Sequence, residues 1–131
     1  MKNVYNFRFK SKKNADITSF YMYKYIDEAT IYNYLGKDNP ELIRELLGLV
    51  LSINLVELEE LPEFYKKEDF ATVKKRVHKA KPSLSYIGAE KTLELIHKIE
   101  ENLQASAPTN ELLQDHVKTI RQELNTFIES L

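Results

Sequence analysis

Residues 70–88 read Phe70-Ala71-Thr72-Val73-Lys74-Lys75-Arg76-Val77-His78-Lys79-Ala80-Lys81-Pro82-Ser83-Leu84-Ser85-Tyr86-Ile87-Gly88. Phe70, Val73, Val77, Ala80, Leu84 and Ile87 recur at spacings of three, four, three, four and three. That period places one apolar face on a long helix starting near Glu68, and Gly88 supplies a break. Downstream, a helix from about Ala89 to Gln104 turns Leu93, Ile96, Ile99 and Leu103 inward. Residues 105–109, with Pro108, form a connection. Leu113, Val117, Ile120, Leu124, Phe127 and Leu131 then follow at four, three, four, three and four.

Upstream, Asn39 followed by Pro40 is a helix start: a capping residue, then proline at the first helical position. Two adjacent stripes follow. One is Leu42, Leu46, Leu49, Ile53 and Val56; the other is Ile43, Leu47, Val50, Leu58 and Leu61. Two stripes predict a widely buried helix. Pro62 should kink or end it, because proline lacks the N–H donor. Asp27 can cap a short helix through Leu35, with Gly36 as its stop. Short connections between long amphipathic helices favour antiparallel neighbours. The expected fold is all-α: an antiparallel up-down four-helix bundle over residues 26–131, with one short extra helix.

Residues 1–25 differ. Tyr5, Phe7 and Phe9 alternate with Asn6, Arg8 and Lys10, and Tyr21, Tyr23 and Tyr25 with Met22 and Lys24. This period of two predicts an aromatic arm, extended or a hairpin, that packs on something else.

The 131 residues suit one domain, and 43% hydrophobic with 30% charged is an ordinary globular mix. There is no Cys, which excludes a disulfide framework, a Cys zinc site and a thiol nucleophile. Nineteen basic and twenty acidic residues leave a net charge of −1, with no nucleic-acid footprint. No apolar run reaches the ~18–20 residues of a membrane span, and no secretory leader is evident. A cytoplasmic location is expected, without membrane or nucleic-acid partners.

On the helix of residues 70–87 the core stripe leaves His78 and Lys81 outside. At about 100° per residue, His78 points roughly 120° from the stripe centre. Neutral imidazole is a competent nucleophile near neutral pH, and an ammonium one turn away can neutralise phosphoryl oxygens. By spacing alone, a surface His three residues before a Lys reads as a solvated face.

The longer string from His78 to Ala89, His-Lys-Ala-Lys-Pro-Ser-Leu-Ser-Tyr-Ile-Gly-Ala, resembles the phosphohistidine motif of the histidine phosphotransfer (HPt) family. That pattern is a His, a Lys three on, a small residue and Ser, then an apolar residue and Gly-Ala. Residues 34–42 resemble the family's first-helix turn, and residues 67–70 its acidic-aromatic lead. The resemblance implies that His78 is phosphorylated, that Lys81 stabilises the phosphoryl group, and that the protein is a carrier intermediate, not an enzyme. It implies response-regulator receiver domains or a hybrid histidine kinase as partners in a two-component phosphorelay. It implies no intrinsic cofactor, with Mg²⁺ on the receiver. Lys74, Lys75, Lys79, Pro82 and Tyr86 would form the docking surface.

One position departs from the family, where Pro82 replaces the usual Gly. The N–H of residue 82 would bond the His78 carbonyl in a regular helix, so Pro82 predicts a bend or loosened turn; alternatively, the helix ends before it. If the chain turns at Gly88, His97 and Glu100 lie at the height of His78. A carboxylate accepting from Nδ1–H would leave Nε2 free to attack. A His and a Glu hold these spacings in the phosphotransfer domain of the chemotaxis kinase, so the resemblance implies that His97 and Glu100 orient the ring; otherwise both are surface residues. No close His pair suggests a metal, and His116 reads as a surface or boundary residue. The competing class is a non-catalytic helical interaction module that binds a receiver or another partner without phosphoryl transfer.

Overall fold

The structure, a computed structural model, describes residues 23–131. The arm's expected strands or hairpin over residues 1–22 lie outside the described residues. At its root, Lys24 and Tyr25 form a bend, not the extended segment expected. The backbone N–H groups of Lys24, Tyr25 and Ile26 all donate to the Glu123 carboxylate. Drawing three successive donors to one point curls the chain.

Helix α1 (Glu28–Leu35) begins as expected, with the Asp27 carboxylate accepting from Thr30 N–H at 3.0 Å. Gly36 ends it at φ 91°. The Asp27 N–H donates to the Ile87 carbonyl at 2.9 Å, which pins the root of α1 to the chain turn at Gly88. Gly88 sits at φ 76°, and a Cβ there would meet the Asp27 Cβ at 2.6 Å. No other residue fits that approach.

Helix α2 (Pro40–Leu49) runs through a π-helical turn (Val50–Asn54) into α3 (Leu55–Glu59). Ile43, Leu47, Val50, Leu55, Leu58 and Leu61 are fully buried. Their spacing is four, three, five, three and three, and the five spans the π turn. Its extra residue advances the buried face to Leu55, where an unbroken α-helix would have turned Asn54 inward. Two adjacent apolar stripes cannot both face one core from a helix at its edge. Of the two stripes expected to be buried, the first therefore faces outward: Leu42, Leu49 and Ile53 are exposed, and Leu46 and Val56 are half-buried.

Pro62 does not merely end this helix. It lies in the first turn of a new one, α4 (Leu61–Lys66). Lacking an N–H, it cannot donate to the Leu58 carbonyl, and Gln114 Nε2 does so instead at 2.9 Å. Arg121 and Arg76 likewise reach the carbonyls of Leu51 and Glu57 at 3.2 and 3.0 Å. Side chains from neighbouring helices thus satisfy backbone groups along the irregular stretch.

Helix α5 (Phe70–Tyr86) starts two residues later than expected, with Asp69 as its cap. Glu68, at φ 56°, makes the left-handed turn before it. The helix continues without interruption past Pro82, so the reading that it ends there is overturned. Val73, Val77, Ala80, Leu84 and Ile87 are buried as the period required. Helix α6 (Glu90–Glu101) is shorter than expected and passes into a 3₁₀ turn (Leu103–Ala105). Leu93 and Leu103 are half-buried, while Ile96 and Ile99 are fully buried. Helix α7 (Ala107–Glu129) takes Pro108 into its first turn, where a missing N–H costs nothing. Its stripe, Leu113, Val117, Ile120, Leu124 and Phe127, is fully buried.

All these elements are helical, and no strand occurs among the described residues. Helix α5 packs on α6, α6 on α7, α7 on α2 and α3, and α3 on α5. Their buried faces form one apolar cluster.

Candidate functional site

The apolar period of α5 turns His78 away from the core, and its side chain is 73% exposed. Helix α6 returns alongside after the turn at Gly88, which brings Glu100 level with it. Glu100 Oε2 lies 3.4 Å from His78 Nδ1, longer than an ordinary hydrogen bond. Its other oxygen accepts from Lys81 Nζ at 2.9 Å. Lys81 and Glu100 are both mostly covered, at 29% and 20% exposure. One carboxylate thus faces both groups that the sequence singled out. Burial alone would raise the Glu100 carboxyl; the hydrogen bond and charge of Lys81, then those of His78, outweigh it and hold the carboxyl below its ordinary range.

Glu100 Oε2 is the carboxylate oxygen beside Nδ1, a placement that favours the tautomer with the proton on Nδ1 and the lone pair on Nε2. The ring stands at an open groove of about 490 Å³ between α5 and α6, lined by His78, Lys81, Pro82, Ser85, Leu93 and His97. His97 is thus at the site, but as part of the groove wall; the carboxylate facing His78 is that of Glu100. Pro82 is exposed, and Ser83 beside it is buried, with Oγ donating to Asn54 Oδ1 in the π turn at 2.8 Å. That bond fixes α5 against the α2–α3 element beside the site.

Of the expected docking residues, Lys74 and Lys75 are exposed on α5. Lys79 is exposed but pairs with Glu57 at 3.1 Å. Tyr86 is half-buried, its ring centroid 6.3 Å from that of Tyr34. Among the described residues, no group of three or more His, Asp or Glu side chains is placed to hold a metal ion. No described helix is long and apolar enough to cross a membrane.

His116 lies apart from the site, at the boundary position expected. Its Nδ1 is 2.9 Å from the buried Thr92 Oγ1, and the Tyr25 ring stacks on it at 4.0 Å. Burial, then the charges of Lys24 and Lys91, push this imidazole below its ordinary value against the opposing pull of Asp115. Sequence reasoning did not find this contact; a lone His gives no signal of the aromatic ring that covers it from 91 residues away.

No protein-family model, curated protein or solved structure matches the chain.

Proposed function

We propose that this chain is an antiparallel four-helix bundle of the histidine phosphotransfer type that relays a phosphoryl group through His78 between receiver-domain aspartates. The supporting observation is the shared carboxylate: Glu100 faces Nδ1 of an exposed imidazole and the ammonium of Lys81 beside an open groove. The resemblance around His78 agrees with it.

In this reading, the Nε2 lone pair attacks phosphorus of a receiver's aspartyl phosphate. The P–O bond to the aspartate breaks, and the carboxylate leaves with the electron pair. The ring keeps its Nδ1 proton, and Glu100 offsets the positive charge that develops on the imidazole. Lys81 swings from Glu100 toward the phosphoryl oxygens. In the onward step an aspartate of a second receiver attacks phosphorus, and the P–N bond pair returns to Nε2. The receiver would bring an acidic pocket that holds Mg²⁺, and the cation would offset the phosphoryl charge. The chain itself is a carrier.

The test is incubation with phosphorylated receivers. Wild type should gain an acid-labile, base-stable phosphate, and His78→Gln should gain none. Lys81→Ala should slow transfer while leaving the thermal unfolding of the protein intact. Equal labelling of His78→Gln overturns the reading. The second reading, a non-catalytic interaction module, draws on the engagement of Lys81 with Glu100, which leaves less charge for a phosphoryl group. Tight receiver binding with no labelling of wild type would favour it.

A further inference from the structure

The stripe that should have been core is the largest apolar feature that α2 presents to solvent. Leu42, Leu49 and Ile53 are 38%, 48% and 42% exposed. With half-buried Leu46 they form one line along α2 and the π turn. An apolar line on a helix surface carries a standing cost unless something covers it.

Its surroundings are acidic. Glu57, Glu59 and Glu60, further along, pair with Lys79, Arg121 and Arg76. Glu41 and Glu45 flank the line within a turn of Leu42 and Leu49, and neither forms an ion pair among the described residues. The complementary chemistry lies in the same chain. Residues 1–22 carry five basic residues against one acid, a net +4, and the rest of the chain is left at −5 of a total of −1. Tyr5, Phe7 and Phe9 alternate with Asn6, Arg8 and Lys10, an apolar edge beside a basic one.

Reach is sufficient. Residues 24–26 are tied to Glu123, and the Tyr23 ring packs 6.3 Å from Phe127 near the end of α7, which itself packs on α2. Twenty-two residues span up to about 70 Å when extended, against about 17 Å for the line from Leu42 to Ile53.

We propose that residues 1–10 dock along the Leu42–Leu46–Leu49–Ile53 line of the same molecule, aromatic side chains on the leucines and basic side chains toward Glu41 and Glu45. The line ends at Ile53, next to Asn54, whose side-chain oxygen accepts from Ser83 on α5. The contact itself does not depend on phosphoryl transfer.

The chain has no cysteine, so single labels are clean. A nitroxide on Ser52→Cys of the full-length protein, at an exposed position beside the line, should broaden the amide resonances of residues 4–10 at least threefold more than one on Glu101→Cys at the far end of α6. The effect should fall as salt rises and vanish in Leu49→Asp. Overturning results are equal broadening from both labels, no broadening, or persistence in Leu49→Asp. Broadening of equal size when ¹⁵N-labelled unmodified protein is mixed with spin-labelled, ¹⁵N-free protein would assign the line to a second copy and overturn the intramolecular contact.

Discussion

Replacing Glu100 with Gln keeps the side chain's shape and removes its charge. The carboxylate stands 3.4 Å from His78 Nδ1 and 2.9 Å from Lys81 Nζ. As Nε2 bonds to phosphorus, positive charge grows on the ring. At 3.4 Å a unit pair is worth about 1.2 kcal/mol in bulk water and about 5 kcal/mol at an effective dielectric of about 20. With His78 73% exposed but Glu100 only 20% exposed, the pair lies between these limits, and only part of a unit charge develops in the transition state. The loss is therefore about 1–2 kcal/mol. Against it, Lys81 is released toward the phosphoryl group, a gain on the scale of a surface pair, about 0.5 kcal/mol. The net is about 1 kcal/mol, a transfer roughly fivefold slower. In a Lys81→Ala background that compensation disappears, so the same substitution should slow transfer by about tenfold. Rapid-quench measurement of transfer from a phosphorylated receiver, in both backgrounds, reads these factors. A Glu100→Gln rate equal to or above wild type in both would refute the reasoning, because the carboxylate would then hold Lys81 and nothing more.

Gln114→Ala should lower the unfolding free energy by about 1–2 kcal/mol in urea titration, because Pro62 cannot replace the donor that Gln114 supplies to the Leu58 carbonyl; unchanged stability would mean that water satisfies that carbonyl. Asp69 is held below its ordinary range by hydrogen bonds from the Thr72 hydroxyl and N–H. A depressed carboxyl contributes stability above its unfolded value, about 3.9, and loses it as pH falls through the folded value. Urea midpoints measured from pH 5 to pH 2 should therefore fall less in Asp69→Asn, which still caps α5 but does not titrate, and parallel curves would contradict this.

The three-four periods of α5 and α7 were legible because both helices are regular where they meet the core. Their fully buried apolar residues are those the spacing named, although Phe70 and Leu131 at the stripe ends are only half-buried and Ser83 and Asn110 are buried off the stripes; His78 is exposed because the same arithmetic excluded it. The α2–α3 element failed the arithmetic at one residue. Its core spacing contains a five, which neither apolar stripe announced. A hint was present: continuing Ile43, Leu47 and Val50 by four reaches Asn54, a polar residue at a position that would have been core. Sequence periodicity assumes a constant turn, so it cannot count an inserted residue. It registers only the mismatch. The Gln114 contact was legible in a weaker sense, since Pro62 demands a substitute donor for Leu58 without saying which helix supplies it.

Two irregular features meet beside the candidate site, and the second explains why the first is tolerated. Pro82 removes the bond between residue 82 and the His78 carbonyl, yet α5 remains helical through it. The next residue, Ser83, is buried and bonded to Asn54, and Val77, Ala80 and Leu84 hold the inner face of the same turns. On the other side Lys81 is tied to Glu100. The turn carrying His78 is therefore held by side chains on two neighbouring elements where its own ladder is incomplete. The π turn is what presents Asn54 to Ser83 while passing Leu55 into the core. Ile53, the residue before Asn54 on that turn, is the exposed end of the apolar line, so one turn carries both the support of the candidate site and the end of that line.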